Sequence, residues 1–169
     1  MRTVFLAAIA ALLPVGPVYA QSRIEAELKA ESLSTLAKAA RERGDAKRGA
    51  VLFYQPYMAC QKCHAISGPS PLGPNLAELG EKKTDEHIIE SVLKPSAKVE
   101  KKFRATVIIK NDGKQVTGLL VKDEPAGVTL RDGRPGGKRI TVPRADIDEQ
   151  AEMVASIMPE GQVNQLASR

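Results

Sequence analysis

The chain holds two cysteines, three positions apart, with a histidine directly behind them: Cys60-Gln61-Lys62-Cys63-His64. Paired thiols at this spacing can do four things. They can cycle between dithiol and disulfide, form a structural disulfide, supply part of a zinc site, or add to two vinyl groups on one edge of a porphyrin while the adjacent imidazole reaches the iron. A disulfide across two intervening residues closes a very tight loop and stabilises little. A redox dithiol is expected to open a helix after a strand, whereas this pair follows a helical stretch and precedes a Gly- and Pro-rich loop over residues 67–75. A closed zinc site needs four ligands. His87 is the one further histidine, and neighbouring Cys63 and His64 are awkward partners on one tetrahedral ion. Cys-x-x-Cys-His in an exported chain is the attachment pattern of a c-type haem. The expected cofactor is one haem c, covalent through Cys60 and Cys63, with His64 on the iron.

Export is read from the first twenty residues. Arg2 gives a positive start, residues 4–13 are apolar and uncharged, and Val18-Tyr19-Ala20 ends in a small residue as a signal-peptidase site does. The apolar run is too short to span a bilayer comfortably. Residues 1–20 are therefore expected to be a signal peptide cleaved near Ala20, leaving a periplasmic or otherwise exported protein with no stable membrane span. Charged residues make up 27% of the chain, which excludes a multi-span membrane protein. Three Phe, three Tyr and no Trp leave few large side chains for a core. It is built from Leu, Ile and Val, or around something large that is not a side chain. Lys82, Lys83, Lys94, Lys98, Lys101 and Lys102 form either a solvated surface or a positive face that steers acidic redox partner proteins. Nucleic acid is not expected as a partner of an exported, aromatic-poor chain. No spaced carboxylate pair argues for acid–base catalysis, and no nucleophile motif stands beside a base.

The elements that must position the cysteines follow from periodicity. Residues 24–43 predict one helix with Leu33, Leu36, Ala37 and Ala40 on a face and Gly44 as its stop. Asp45 caps a second helix carrying Ala46, Ala50, Phe53, Tyr54 and Tyr57, limited by Pro56. Thr84 caps a third, with Ile88, Ile89, Val92 and Leu93, closed by Pro95. From Phe103 the period becomes two, and Asn111-Asp112-Gly113 is a hairpin signal. Further turns predict a four-stranded antiparallel meander ending near Val142.

Cys60 to His64 followed by Gly73-Pro74-Asn75-Leu76 resembles a class I c-type cytochrome. The resemblance implies that the Pro74 carbonyl accepts a hydrogen bond from the proximal imidazole. Gly49 and Phe53 resemble the family's small and aromatic pair that receives its C-terminal helix. Leu93-Lys94-Pro95-Ser96, Asp112-Gly113, Thr117-Gly118, residues 140–147 and Ser156-Ile157-Met158-Pro159-Glu160-Gly161 extend the similarity to the planctomycete-type haem-binding domain, over roughly residues 45–168. The implied organisation is a signal peptide at 1–20, an N-terminal helix at 21–44, and a haem domain at 45–169 with a β insertion at about 103–142. The fold class implied is a mainly α cytochrome-c-like domain with a small inserted antiparallel β-sheet. The family continues past Met158 with a helix packed on the Gly49–Phe53 face, whereas this sequence stops at Arg169. The 24–43 helix is expected to cover that face, or the face stays partly exposed.

Candidates for the sixth iron ligand are Met58, Met153, Met158 and His87. Met58 is tied to the attachment edge, two residues before Cys60. Met153 sits in a pattern compatible with a short packing helix at 151–155. A lone histidine on a helix, such as His87, is more often a surface or packing residue. Met158 precedes Pro159, which disfavours helix there, and the resemblance places the ligand at this position. The function implied is one-electron transfer, in its own right or as the electron-transfer domain of a larger oxidoreductase, and not catalysis. The alternatives are a haem enzyme or small-ligand sensor with an open sixth coordination position, and a binding module whose haem is only structural.

Overall fold

The computed structural model describes residues 24–79, 83–134 and 136–166; the expected signal peptide at 1–20 lies outside them. Serine prefers the position before a helix because its hydroxyl satisfies an otherwise unpaired backbone N–H. Ser32 does this, accepting from the Thr35 N–H at 3.1 Å. The single helix expected over 24–43 is thereby divided into α1 (Ile24–Ala30) and α2 (Leu33–Arg43). Asp45 caps α3 (Ala46–Tyr54) by accepting from the N–H groups of Lys47 and Arg48. Thr84 caps α4 (Asp85–Leu93) through the His87 N–H. α2 packs on α4, with Ala37 and Leu93 buried and an Arg41–Asp85 ion pair linking the two helices. Among the described residues no helix is long and apolar enough to cross a membrane.

α3 contributes no buried residue. Gly49 is exposed, with open space where a side chain would project, and Phe53 stacks edge-on against Tyr54 with ring centroids 5.1 Å apart. α2 covers α4 instead, so the Gly49–Phe53 face stays partly exposed.

The remainder is a sheet. Strands β1 (Ala105–Lys110), β2 (Gln115–Glu124), β3 (Gly127–Asp132), β4 (Arg139–Pro143) and β5 (Ile147–Glu152) lie in the order β4-β3-β2-β1-β5, antiparallel throughout. The turn after β1 is closed by the Gly113 N–H donating to the Lys110 carbonyl, with Gly113 at φ +77°. Ile108, Val128, Leu130 and Val142 form one contiguous buried cluster, flanked by Val116, Ile140 and Ile147.

This corrects the expected fold class. The sheet is a main element of the molecule and holds its contiguous core; it is not a small insertion at 103–142 in a mainly α domain. The strand missed by periodicity is β5, Ile-Asp-Glu-Gln-Ala-Glu, which is exposed along nearly its whole length. An edge strand needs no alternating apolar face, because its pairing with β1 is carried by backbone hydrogen bonds. The same pairing removes the short helix expected at 151–155. Glu152 ends β5, and the Met153 N–H donates to the Ala105 carbonyl at 2.7 Å.

Candidate haem-attachment site

After α3 the chain turns at Pro56 and buries Met58. Ala59 then takes a left-handed conformation, φ +56°, the one non-glycine residue to do so among the described residues. For an alanine this costs about 1 kcal/mol. It redirects the chain into a 3-10 turn at Cys60–Lys62. The Cys60 carbonyl accepts from the N–H groups of both Cys63, at 3.1 Å, and His64, at 2.9 Å. A single helical turn sets side chains three apart on one side, which is what two thiols need to reach one edge of a flat ring.

Both cysteines are half-buried free thiols. Burial pushes each thiol above its ordinary pKa, and for Cys63 a charge on Cys60 would push further. A redox dithiol needs its nucleophile as thiolate; this environment favours the protonated form. His64 is half-buried, its Nδ1 3.0 Å from the Pro74 carbonyl oxygen. Since a carbonyl can only accept, this pairing puts a proton on Nδ1, so that in the neutral imidazole the lone pair lies on Nε2.

The loop from 65 to 76 is organised around that histidine. The Cys63 carbonyl accepts from the N–H groups of Leu72 and Gly73 at 3.2 and 2.9 Å and from the Ser70 hydroxyl at 3.0 Å. Ser70 in turn accepts the Ala65 N–H at 2.9 Å and stands 3.5 Å from the Pro74 carbonyl. Asn75 bridges the Gly68 carbonyl and the Ala77 N–H. Gly73 lies against the imidazole: a Cβ there would stand 2.7 Å from Nδ1, so a larger residue would displace the ring. Leu72 is buried and packs near Gly137 in the β3–β4 loop, tying this region to the sheet.

Cys60, Cys63, His64 and Pro74 are thus brought together. Their chemistry fits a c-type haem: two thiols on one helical turn, an imidazole engaged through Nδ1, and a glycine packed against that imidazole. Met158 lies on a different loop, half-buried, its N–H donating to the Ser156 hydroxyl at 3.1 Å. The Ser156 N–H donates to the Ser96 hydroxyl at 3.2 Å, beyond the end of α4. His87 is half-buried on α4. Among the described residues no three His, Cys, Asp or Glu side chains gather to hold a metal ion, so His87 does not complete a set with the cysteines and His64. Lys94, Lys98 and Lys101 are exposed, whereas Lys83 and Lys102 both pair with Glu100, which holds that carboxyl below its ordinary range.

Neither a known protein family nor a curated protein matches the chain. The chemistry follows from the residues themselves. Ser70 carried no signal in the sequence: it sits in a loop whose composition reads only as irregular.

Proposed function

We propose that the chain is an exported monohaem c-type cytochrome domain serving one-electron transfer. The carrying observation is the Nδ1 of His64 held 3.0 Å from the Pro74 carbonyl behind a Cys-x-x-Cys turn. When bound, the haem supplies an iron that cycles between Fe(III) and Fe(II). Cys60 and Cys63 would hold it through two thioether bonds. His64 would bind the iron through Nε2, with Pro74 fixing the ring's tautomer and orientation. Met158 would complete the ligand set, and a thioether paired with an imidazole would favour the reduced state and a raised potential. The exposed lysines at 94, 98 and 101 would steer an acidic redox partner, an effect that weakens with salt.

The test is to express the chain with haem-attachment machinery, then take an intact mass and a visible spectrum. The expected result is the mass of the mature chain plus one haem, with a six-coordinate low-spin spectrum. A chain carrying zinc, or a Cys60–Cys63 disulfide and no haem, overturns the proposal. A five-coordinate high-spin spectrum transfers it to the enzyme or sensor reading.

A further inference from the structure

Helix α1 precedes the stretch that carries the cytochrome-like motifs, yet it grips the loop bearing Met158. Both oxygens of the Glu25 carboxylate are engaged. Oε1 accepts the Gly161 N–H at 3.1 Å, and Oε2 accepts from the Asn164 side-chain amide at 3.1 Å. The exchange is reciprocal, because the Glu25 backbone N–H donates to Asn164 Oδ1 at 3.0 Å. Lys29 pairs with Glu25 at 2.9 Å and reaches Glu160 at 3.8 Å. The Glu25 side chain is only 13% exposed. Gly161 sits at φ +79°, a left-handed turn suited to glycine, with Glu25 Oε2 3.4 Å from where a Cβ would be. At its other end the loop is tied by Ser156 to Ser96. Between these ties Pro159 has no N–H to offer, and among the described residues Met158 bonds only within the loop, to Ser156.

We propose that Glu25 and Asn164 are positioning residues for Met158: together they fasten the turn at Gly161 and so hold the thioether in place for the haem iron. This rests on Met158 being the sixth ligand. A neutral thioether is a weak ligand, so its hold on iron is reduced by whatever fraction of time the loop is undocked. The carboxylate clamp from α1 raises the docked fraction.

The test uses the haem-loaded full chain and its Glu25→Ala, Asn164→Ala and Met158→Ala variants. The readouts are the weak sulfur-to-iron band of the oxidised protein, the affinity for added imidazole, and hydrogen exchange at the Gly161 amide, the last measured also without haem. Glu25→Ala and Asn164→Ala are each expected to speed Gly161 exchange about tenfold or more in both forms and to raise imidazole affinity by a similar factor. Glu25→Gln, which keeps one acceptor oxygen but loses the charge and sets an NH2 group against one of the two donors, should fall between. If the band depends on Met158 but imidazole affinity is unchanged in Glu25→Ala and Asn164→Ala, the clamp is overturned and the ligand assignment stands. If Met158→Ala leaves the band in place, the ligand assignment fails and the clamp's role with it. Should Glu25→Ala not fold, Asn164→Ala decides the matter alone.

Discussion

The sheet and the segment around the cysteines are held together by different means. In the sheet, Ile108, Val128, Leu130 and Val142 bury their side chains almost completely against one another. Such burial is worth roughly 1.5–3 kcal/mol per side chain and does not depend on fine geometry. On the helical side Ala37, Met58, Leu72 and Leu93 are buried in four separate segments, with Pro95 just beyond the last, and α3 buries none. Order around His64 comes instead from Ser70, Asn75 and the carbonyls of Cys63 and Pro74. Hydrogen bonds of this kind contribute only about 1 kcal/mol each but fix positions closely. The molecule thus separates the part that supplies stability from the part that supplies geometry. Sites of chemistry are commonly drawn from the less stable end of a fold.

The sharpest way to break this contrast is Cys60→Ala with Cys63→Ala. Covalent haem is expected to be lost entirely, as read by intact mass. Hydrogen exchange should then quicken in α3 and residues 57–76 while the amides of β1 and β3 keep their protection. Loss of protection in the sheet as well would mean that the two parts fold as one.

A smaller effect comes from the sheet side. Ile108→Ala removes a fully buried side chain and is expected to cost about 2–5 kcal/mol in urea unfolding. Val51→Ala on α3, where the residue is 58% exposed, should change stability by about 0.5 kcal/mol or less. Equal losses at the two positions would erase the distinction.

Next in size is Ser70→Ala. It leaves the Ala65 N–H without its partner and should cost about 1–3 kcal/mol. In the haem-loaded protein the potential should shift too, because the Cys63 and Pro74 carbonyls that organise the imidazole each lose the Ser70 hydroxyl. A potential that stays put would make Ser70 a purely structural residue.

The smallest effect is a pH dependence at Glu25. Lys29 beside it, helped by the Gly161 N–H and the Asn164 amide, holds this carboxyl below its ordinary value against the opposing effect of burial; Glu160 is the other charged group nearby. A lowered folded-state pKa means that the stabilisation is complete above the unfolded value of about 4.3 and is lost as the pH falls through the lower folded one. Protection of the Gly161 amide should therefore fade only as the pH falls below the ordinary carboxylate range. In Glu25→Gln it should not change with pH.

The site was more legible in the sequence than the fold. Cys60, Cys63 and His64 announce themselves by spacing, and the contact of His64 with Pro74 was implied by the resemblance to c-type cytochromes. The helix caps at Asp45 and Thr84 were readable because a cap is a local bargain between one side chain and the next turn. Ser32 offered the same signal, directly before the apolar face that begins at Leu33. β5 was invisible because pairing at a sheet edge depends on where the neighbouring backbone lies and not on hydropathy. The contacts of Glu25 with Gly161 and Asn164 span more than 130 residues, and no local pattern encodes them.

The hydrogen bond from the Met153 N–H to the Ala105 carbonyl has a consequence for the order of assembly. Ser96 and Ser156, which meet at the base of the Met158 loop, are 60 residues apart along the chain. Once β5 has paired with β1, residues 105 and 153 are neighbours, and the free contour between the two serines shrinks to roughly a dozen residues. On the logarithmic law for loop closure, this lowers the entropic cost of bringing them together by about 1.4 kcal/mol. Zipping of the sheet should therefore precede and hasten docking of the Met158 loop, which would be the late step in maturation.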